Sequence, residues 1–127
     1  MNDPVSVLFA NLPGSDTWDE SFWGRLVEDG VWDELAFWEL HAALISLARI
    51  NNGSALIDRA TAQAVCTVQA RVLGCVASHR DPDDVFKITN LSGETLQDFV
   101  ERFEHAVLSV FSGEFLPESS YALRSPL

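Results

Sequence analysis

The sequence predicts an all-α protein: a single compact domain of about four helices, arranged like an antiparallel bundle. Three observations carry that reading. Apolar residues recur at helical spacing through long segments. Only five prolines and seven glycines occur in 127 residues, so those segments run uninterrupted. Recognisable caps and stops separate them. A chain of this length suits one domain and buries about two-thirds of its unfolded surface. No composition shift, low-complexity tract or solenoid repeat divides residues 1–127.

Residues 1–16 form a short N-terminal segment. Its apolar part, Val5 to Phe9, fits either a short helix or an edge segment, and the turn "NLPGSD" closes it. A first long helix is expected from Trp18 to "EDG". Thr17 and Glu20 stand three apart, as in a capping box. Gly30 supplies the left-handed residue that ends a helix. A second helix spans about Glu34 to Asn51, with Asp33 as N-cap and "NNG" as stop. Its interior, "LAFWELHAALISLARI", is apolar on most of its circumference, the pattern of a central helix.

A third helix covers about Arg59 to Ser78, capped by Asp58. Val65, Val68, Val72 and Val76 share one face; Arg59, Gln63, Arg71 and Ser78 share the other. Pro82 bars its continuation. After the loop "HRDPDDVFKITNLS", Ser92 caps a fourth helix, about Gly93 to Phe111, that stops at Gly113. Leu96, Phe99, Val100, Phe103, Val107, Val110 and Phe111 line its inner face. Glu94, Asp98, Glu101, Arg102, His105 and Ser109 line its outer face. The tail, 114–127, has no period and is expected to be irregular, with Phe115 and Leu116 packing.

All four tryptophans lie in "WDESFWGRLVEDGVWDELAFWEL". With Asp33 as cap, Trp32 and Phe37 occupy the two positions of a hydrophobic staple. With Asp19 as cap, Trp18 and Trp23 stand in the same relation. The echoed words therefore read as one helix-start rule used twice. The alternative is an aromatic contact surface, since tryptophan is enriched at binding hot spots.

The formal charge is −11, from 19 acidic against 8 basic residues. Such a field repels nucleic acid and anionic membranes and attracts basic partners. The N-terminus lacks a basic region and a long apolar run, and no stretch approaches the roughly 20 apolar residues of a membrane span. A cytoplasmic protein is expected, with Cys66 and Cys75 as reduced thiols.

Candidate chemistry is sparse. Cys75 and His79 stand four apart on one helix face, but no third or fourth metal ligand accompanies them. "DPDD" opens like a calcium loop, yet the sixth position is Phe86 where glycine is needed. Glu101 and His105 stand four apart, as do Asp98 and Arg102, at the spacing of ordinary surface pairs. No nucleophile motif, phosphate-cradling loop or HExxH occurs. No enzyme activity, cofactor or metal is expected. What remains is acid: Glu28, Asp29, Asp33 and Glu34 at one corner; Asp81, Asp83 and Asp84 in the loop; Glu94, Asp98 and Glu101 on the last helix. Glu94 and Asp98 are like charges four apart, a small cost to the helix.

In that same region the run Asp-Val-Phe-Lys-Ile, then Asn-Leu-Ser, then an acidic helix ending in Phe-Ser-Gly, is similar to bacterial polymorphic-toxin immunity proteins, and specifically to the immunity protein 41 family. The earlier "EDGVWDELAFWELHAAL" is similar in style. These parts cover about half the chain. The resemblance implies a cytosolic inhibitor that binds a cognate toxin domain, and it transfers no contact residues. A small acidic inhibitor suits a nuclease toxin, because carboxylates can stand where phosphates go. The expected contact surface is Asp81, Asp83, Asp84, Glu94, Asp98 and Glu101. The alternative is a non-catalytic helical adaptor or self-associating module; the sequence leaves the oligomeric state open.

Overall fold

The computed structural model describes residues 3–127. They form five α-helices and no strand: α1 (Pro4–Ala10), α2 (Phe22–Asp29), α3 (Glu34–Ile50), α4 (Arg59–Arg80) and α5 (Gly93–Ser112). Short 3-10 turns occupy Trp18–Glu20 and Glu118–Ser120. The all-helical class agrees with the expectation from sequence, and the helix count exceeds it by one.

The extra helix is α1. Asp3 caps it, accepting from the Ser6 N–H, and Pro4 stands at its first position, where a missing N–H costs nothing. Asn11 closes it and is itself buried. Its side-chain amide donates to the Val7 carbonyl while its oxygen accepts from the Trp23 N–H, so one residue ties α1 to α2.

The first long helix begins later than expected. Thr17 makes no capping hydrogen bond; the 3-10 turn ends at Ser21, whose Oγ accepts from the Gly24 N–H and caps α2. Gly24 makes this break possible. A Cβ there would collide with the Trp18 carbonyl, which folds down onto the helix start. Trp18 and Trp23 still meet edge-on, with centroids 5.5 Å apart, but with Ser21 as the cap they do not hold the two staple positions.

The other caps follow the sequence. Asp33, Asp58 and Ser92 accept from the N–H three residues on. Gly30 and Gly113 close α2 and α5 with φ of +64° and +72°. Trp32 and Phe37 form the staple, centroids 5.4 Å apart.

One contiguous core runs through the molecule. α3 is central and packs on α5, α1 and α2, while α4 packs on α2, α1 and α5. Phe22, Trp32, Phe37, Trp38 and Phe99 form its aromatic centre, mostly edge to face. Such contacts add to area burial because a ring edge is positive and a ring face negative. Trp23, Trp32 and Trp38 are buried and Trp18 is half-buried, so the tryptophans serve the interior rather than an open aromatic surface.

Candidate functional site

The expected acidic surface lies at the end of the molecule where α4 passes into α5. Arg80, the last residue of α4, donates to the Gln97 amide oxygen in the second turn of α5 at 2.7 Å. The loop from Asp81 and the first half of α5 therefore share that end. Glu94, Asp98 and Glu101 recur at helical spacing along one face of α5.

The loop is held from within. Asp81 Oδ1 accepts from the Asp83 N–H, and Asp84 Oδ1 accepts from the Phe86 N–H. Lys87 folds back and donates to the carbonyls of His79 and Asp81. The Ile88 N–H donates to His79 Nδ1 at 2.9 Å, so that ring nitrogen is engaged by the loop backbone. Phe86 packs against the core and Ile88 lies within it, whereas Val85 is 98% exposed at the tip. The result is a fixed loop that presents one apolar side chain among carboxylates.

The far side of the loop docks on the α2–α3 corner. Thr89 donates to the Gly30 carbonyl from its N–H, at 2.9 Å, and from its hydroxyl. Asn90 accepts from the Trp32 N–H and donates to the Trp32 carbonyl, both at 2.9 Å, bridging 58 residues of sequence. The segment "FKITN" thus fastens the corner to the acidic end.

Of the six expected contact residues, Asp81, Asp83, Glu94 and Glu101 are exposed, and Asp84 and Asp98 are half-buried. None forms an ion pair among the described residues, where the two ion pairs are Arg25–Asp33 and Arg102–Glu118. Asp33 at the other acid corner is committed twice, to Arg25 and to the α3 cap.

The outer face of α5 differs from the one expected from sequence. Arg102 and Ser109 are buried, and Phe111 is exposed. Arg102 does not pair with Asp98. Its Nη2 reaches Glu118 at 2.7 Å, and its guanidinium lies 4.0 Å from the Tyr121 ring and 5.3 Å from the Trp38 ring. Arg102 sits beside the apolar stripe of Phe99, Phe103 and Ala106, so the chain segment that covers it decides its burial.

That segment is the tail. Tyr121 and Leu123 pack inward, while Phe115 and Leu116, which were expected to pack, stay exposed. The Ser109 hydroxyl donates to the Glu114 carbonyl, and Arg49 lies over the Phe115 ring at 5.5 Å. His105 Nδ1 hydrogen-bonds to the Tyr121 hydroxyl at 3.0 Å, so Tyr121 and not Glu101 is its partner.

Burial shapes the electrostatics here. It pushes the His41 imidazole down to about 4, with the nearby Arg102 charge adding to the effect and Glu118 opposing it. At Glu118, burial pushes upward, but the Ser125 N–H and Arg102 outweigh it and hold the carboxyl below its usual range. Burial raises the Cys75 thiol, opposed by the Trp23 indole, so Cys75 is no activated thiolate.

The fold and site together define a class, an all-helical domain with an acidic, internally braced end. No family model, curated protein or solved structure matches the chain. No helix among the described residues is long and apolar enough to cross a membrane.

Proposed function

We propose that this chain is an immunity protein: a non-enzymatic inhibitor that binds and neutralises a cognate toxin domain in the cytoplasm. The observation that carries the reading is the braced acidic end. Its carboxylates have no ion-pair partner among the described residues, and its loop holds Val85 at 98% exposure between them. An apolar tip ringed by acid fits a basic cleft with an apolar floor. The carboxylates speed encounter and the tip is desolvated on docking. A nuclease toxin, whose groove must attract phosphates, offers that chemistry.

The test is co-production with the toxin encoded beside the gene. Cells should survive with the wild-type protein. Replacing Asp83, Glu94 and Glu101 with lysine should weaken binding at least about tenfold, a loss of about 1.4 kcal/mol, and flatten its salt dependence. Rescue and affinity unchanged by the triple reversal would sink the acidic-face assignment. No rescue and no binding by the wild-type chain would sink the function itself.

A second reading, a self-associating helical module, is favoured by a different observation. Leu108, Phe111, Phe115 and Leu116 are all exposed where α5 runs into the tail. Apolar side chains gathered in one stretch of chain mark contact surfaces more often than single exposed ones do.

A further inference from the structure

The segment Glu114–Leu127 leaves α5 at Gly113 and returns along it as a strap with a narrow hold. Its regular structure is one short turn, and only Tyr121, Leu123 and Ser125 are half-buried. Glu118 Oε2 accepts from Arg102 at 2.7 Å, while its Oε1 accepts from the Ser125 N–H. The Tyr121 ring lies over the same guanidinium, and its hydroxyl meets His105. No strap residue belongs to the buried core; Leu123 packs against it from outside. A segment held this way can leave at far less cost than the helices beneath it.

The charges under the strap balance only while it is down. Arg102 is 2% exposed, its Nε and Nη1 have no acceptor, and its ion-pair partner is Glu118. His41, also buried, faces this pair. Arg102 of α5 and Glu118 of the strap are the charged groups that act on it. Phe37 and Trp38 of its own helix lie beside it, and α1 and α2, also packed on α3, bring it no charge. A proton on His41 places a second cation beside Arg102, and a proton on Glu118 removes the counter-charge. Lifting the strap relieves both, because water then reaches Arg102 and His41.

We propose that the strap is an acid-released clasp: protonation of His41 and Glu118 lifts residues 114–127 off Arg102 while the five helices stay folded, uncovering Trp38, His41 and Arg102. The direction follows from burial. With the strap down, His41 takes up its proton only at about pH 4; with the strap lifted it does so near pH 6.5, as an exposed histidine does. Burial pushes Glu118 upward, but the Ser125 N–H and Arg102 hold it below its usual range, to which it returns on release. The lifted form therefore binds more protons at both groups. Closure is complete above about pH 6.5 and gives way as pH falls toward 4. This assignment does not depend on the toxin-inhibitor reading.

The test follows the full-length chain by NMR from neutral pH down to about pH 4, with far-UV circular dichroism as the measure of helix content. The amide signals of Tyr121, Leu123 and Ser125 should move together to unstructured positions between about pH 6.5 and 4, while helix content holds. His41→Gln removes one of the two proton sites and should lower the release constant at pH 5 about tenfold or more. Glu118→Gln removes the counter-charge at every pH and should raise the released fraction at neutral pH, again with the helices intact. If His41→Gln does not fold, the His41 ring signals of the wild-type chain replace it, and they should titrate in step with the strap amides. Strap signals that change only together with helix content overturn the proposal, since the strap would then be part of the global fold. An unchanged release midpoint in His41→Gln, or a His41 ring that titrates apart from the strap, overturns it as well.

Discussion

At the residue scale, His41 and Arg102 show how burial assigns roles that side-chain chemistry alone leaves open. His41 is neutral in the folded protein down to about pH 4, while an exposed histidine takes up its proton near pH 6.5. Between those values the unfolded chain binds the extra proton, so this residue's contribution is complete above about pH 6.5 and is lost as pH falls to about 4. The shift corresponds to about 3 kcal/mol. Replacing His41 with glutamine should therefore leave a stability–pH profile that declines less across this window, read as the difference between urea midpoints of variant and wild type. Parallel profiles would show that His41 is not held neutral. Arg102 was not legible as a buried residue. Its position on α5 flanks the apolar stripe, and whether such a residue is dry depends on what lies over it. The cover comes from Glu118 and Tyr121, in a tail whose sequence has no period to read. The thiols differ for a similar reason. Cys66 is exposed and Cys75 is half-buried with its thiol raised by burial, so iodoacetamide should modify Cys66 first. Equal rates by peptide mapping would contradict that burial.

At the element scale, helix boundaries were legible wherever a local rule governs them. Asp33, Asp58 and Ser92 cap as their spacing predicts, because one side-chain oxygen meeting one backbone N–H is a contact within three residues. The break at Ser21 was not legible, because it depends on the Trp18 carbonyl settling against Gly24. The loop before α5 was legible as a turn, but its docking on the α2–α3 corner was not, since Asn90 and Trp32 are 58 residues apart. Two substitutions probe that joint. Gly30→Ala places a Cβ 2.4 Å from the Lys87 carbonyl and holds alanine at φ of +64°, so it should destabilise by about 2 kcal/mol or more. Asn90→Ala removes both hydrogen bonds to Trp32 and should cost about 2 kcal/mol. Because both act on one joint, the double variant should fall short of their sum by about 0.5 kcal/mol or more. Full additivity in denaturant unfolding would mean the two contacts are independent.

At the scale of the whole molecule, the fold class follows from periodicity and composition, and 64% of the structure is helical, about twice the usual share. The charge is the other global property. With a net charge of −11 and two ion pairs among the described residues, like charges face one another across the surface with little compensation. Raising the concentration of a monovalent salt should increase Tm, by about 3 °C or more for each kcal/mol of repulsion screened. A Tm that ignores salt would mean the carboxylates are too dispersed to repel. The braced loop divides labour along a single stretch of chain. Asn90, Ile88 and Phe86 face the protein and set its stability, whereas Asp83 and Val85 face outward and touch nothing the fold requires. Outward positions of that kind can be rewritten one at a time while the scaffold keeps its shape. Such a loop gives a small protein a surface whose sequence can change freely without passing through an unfolded intermediate.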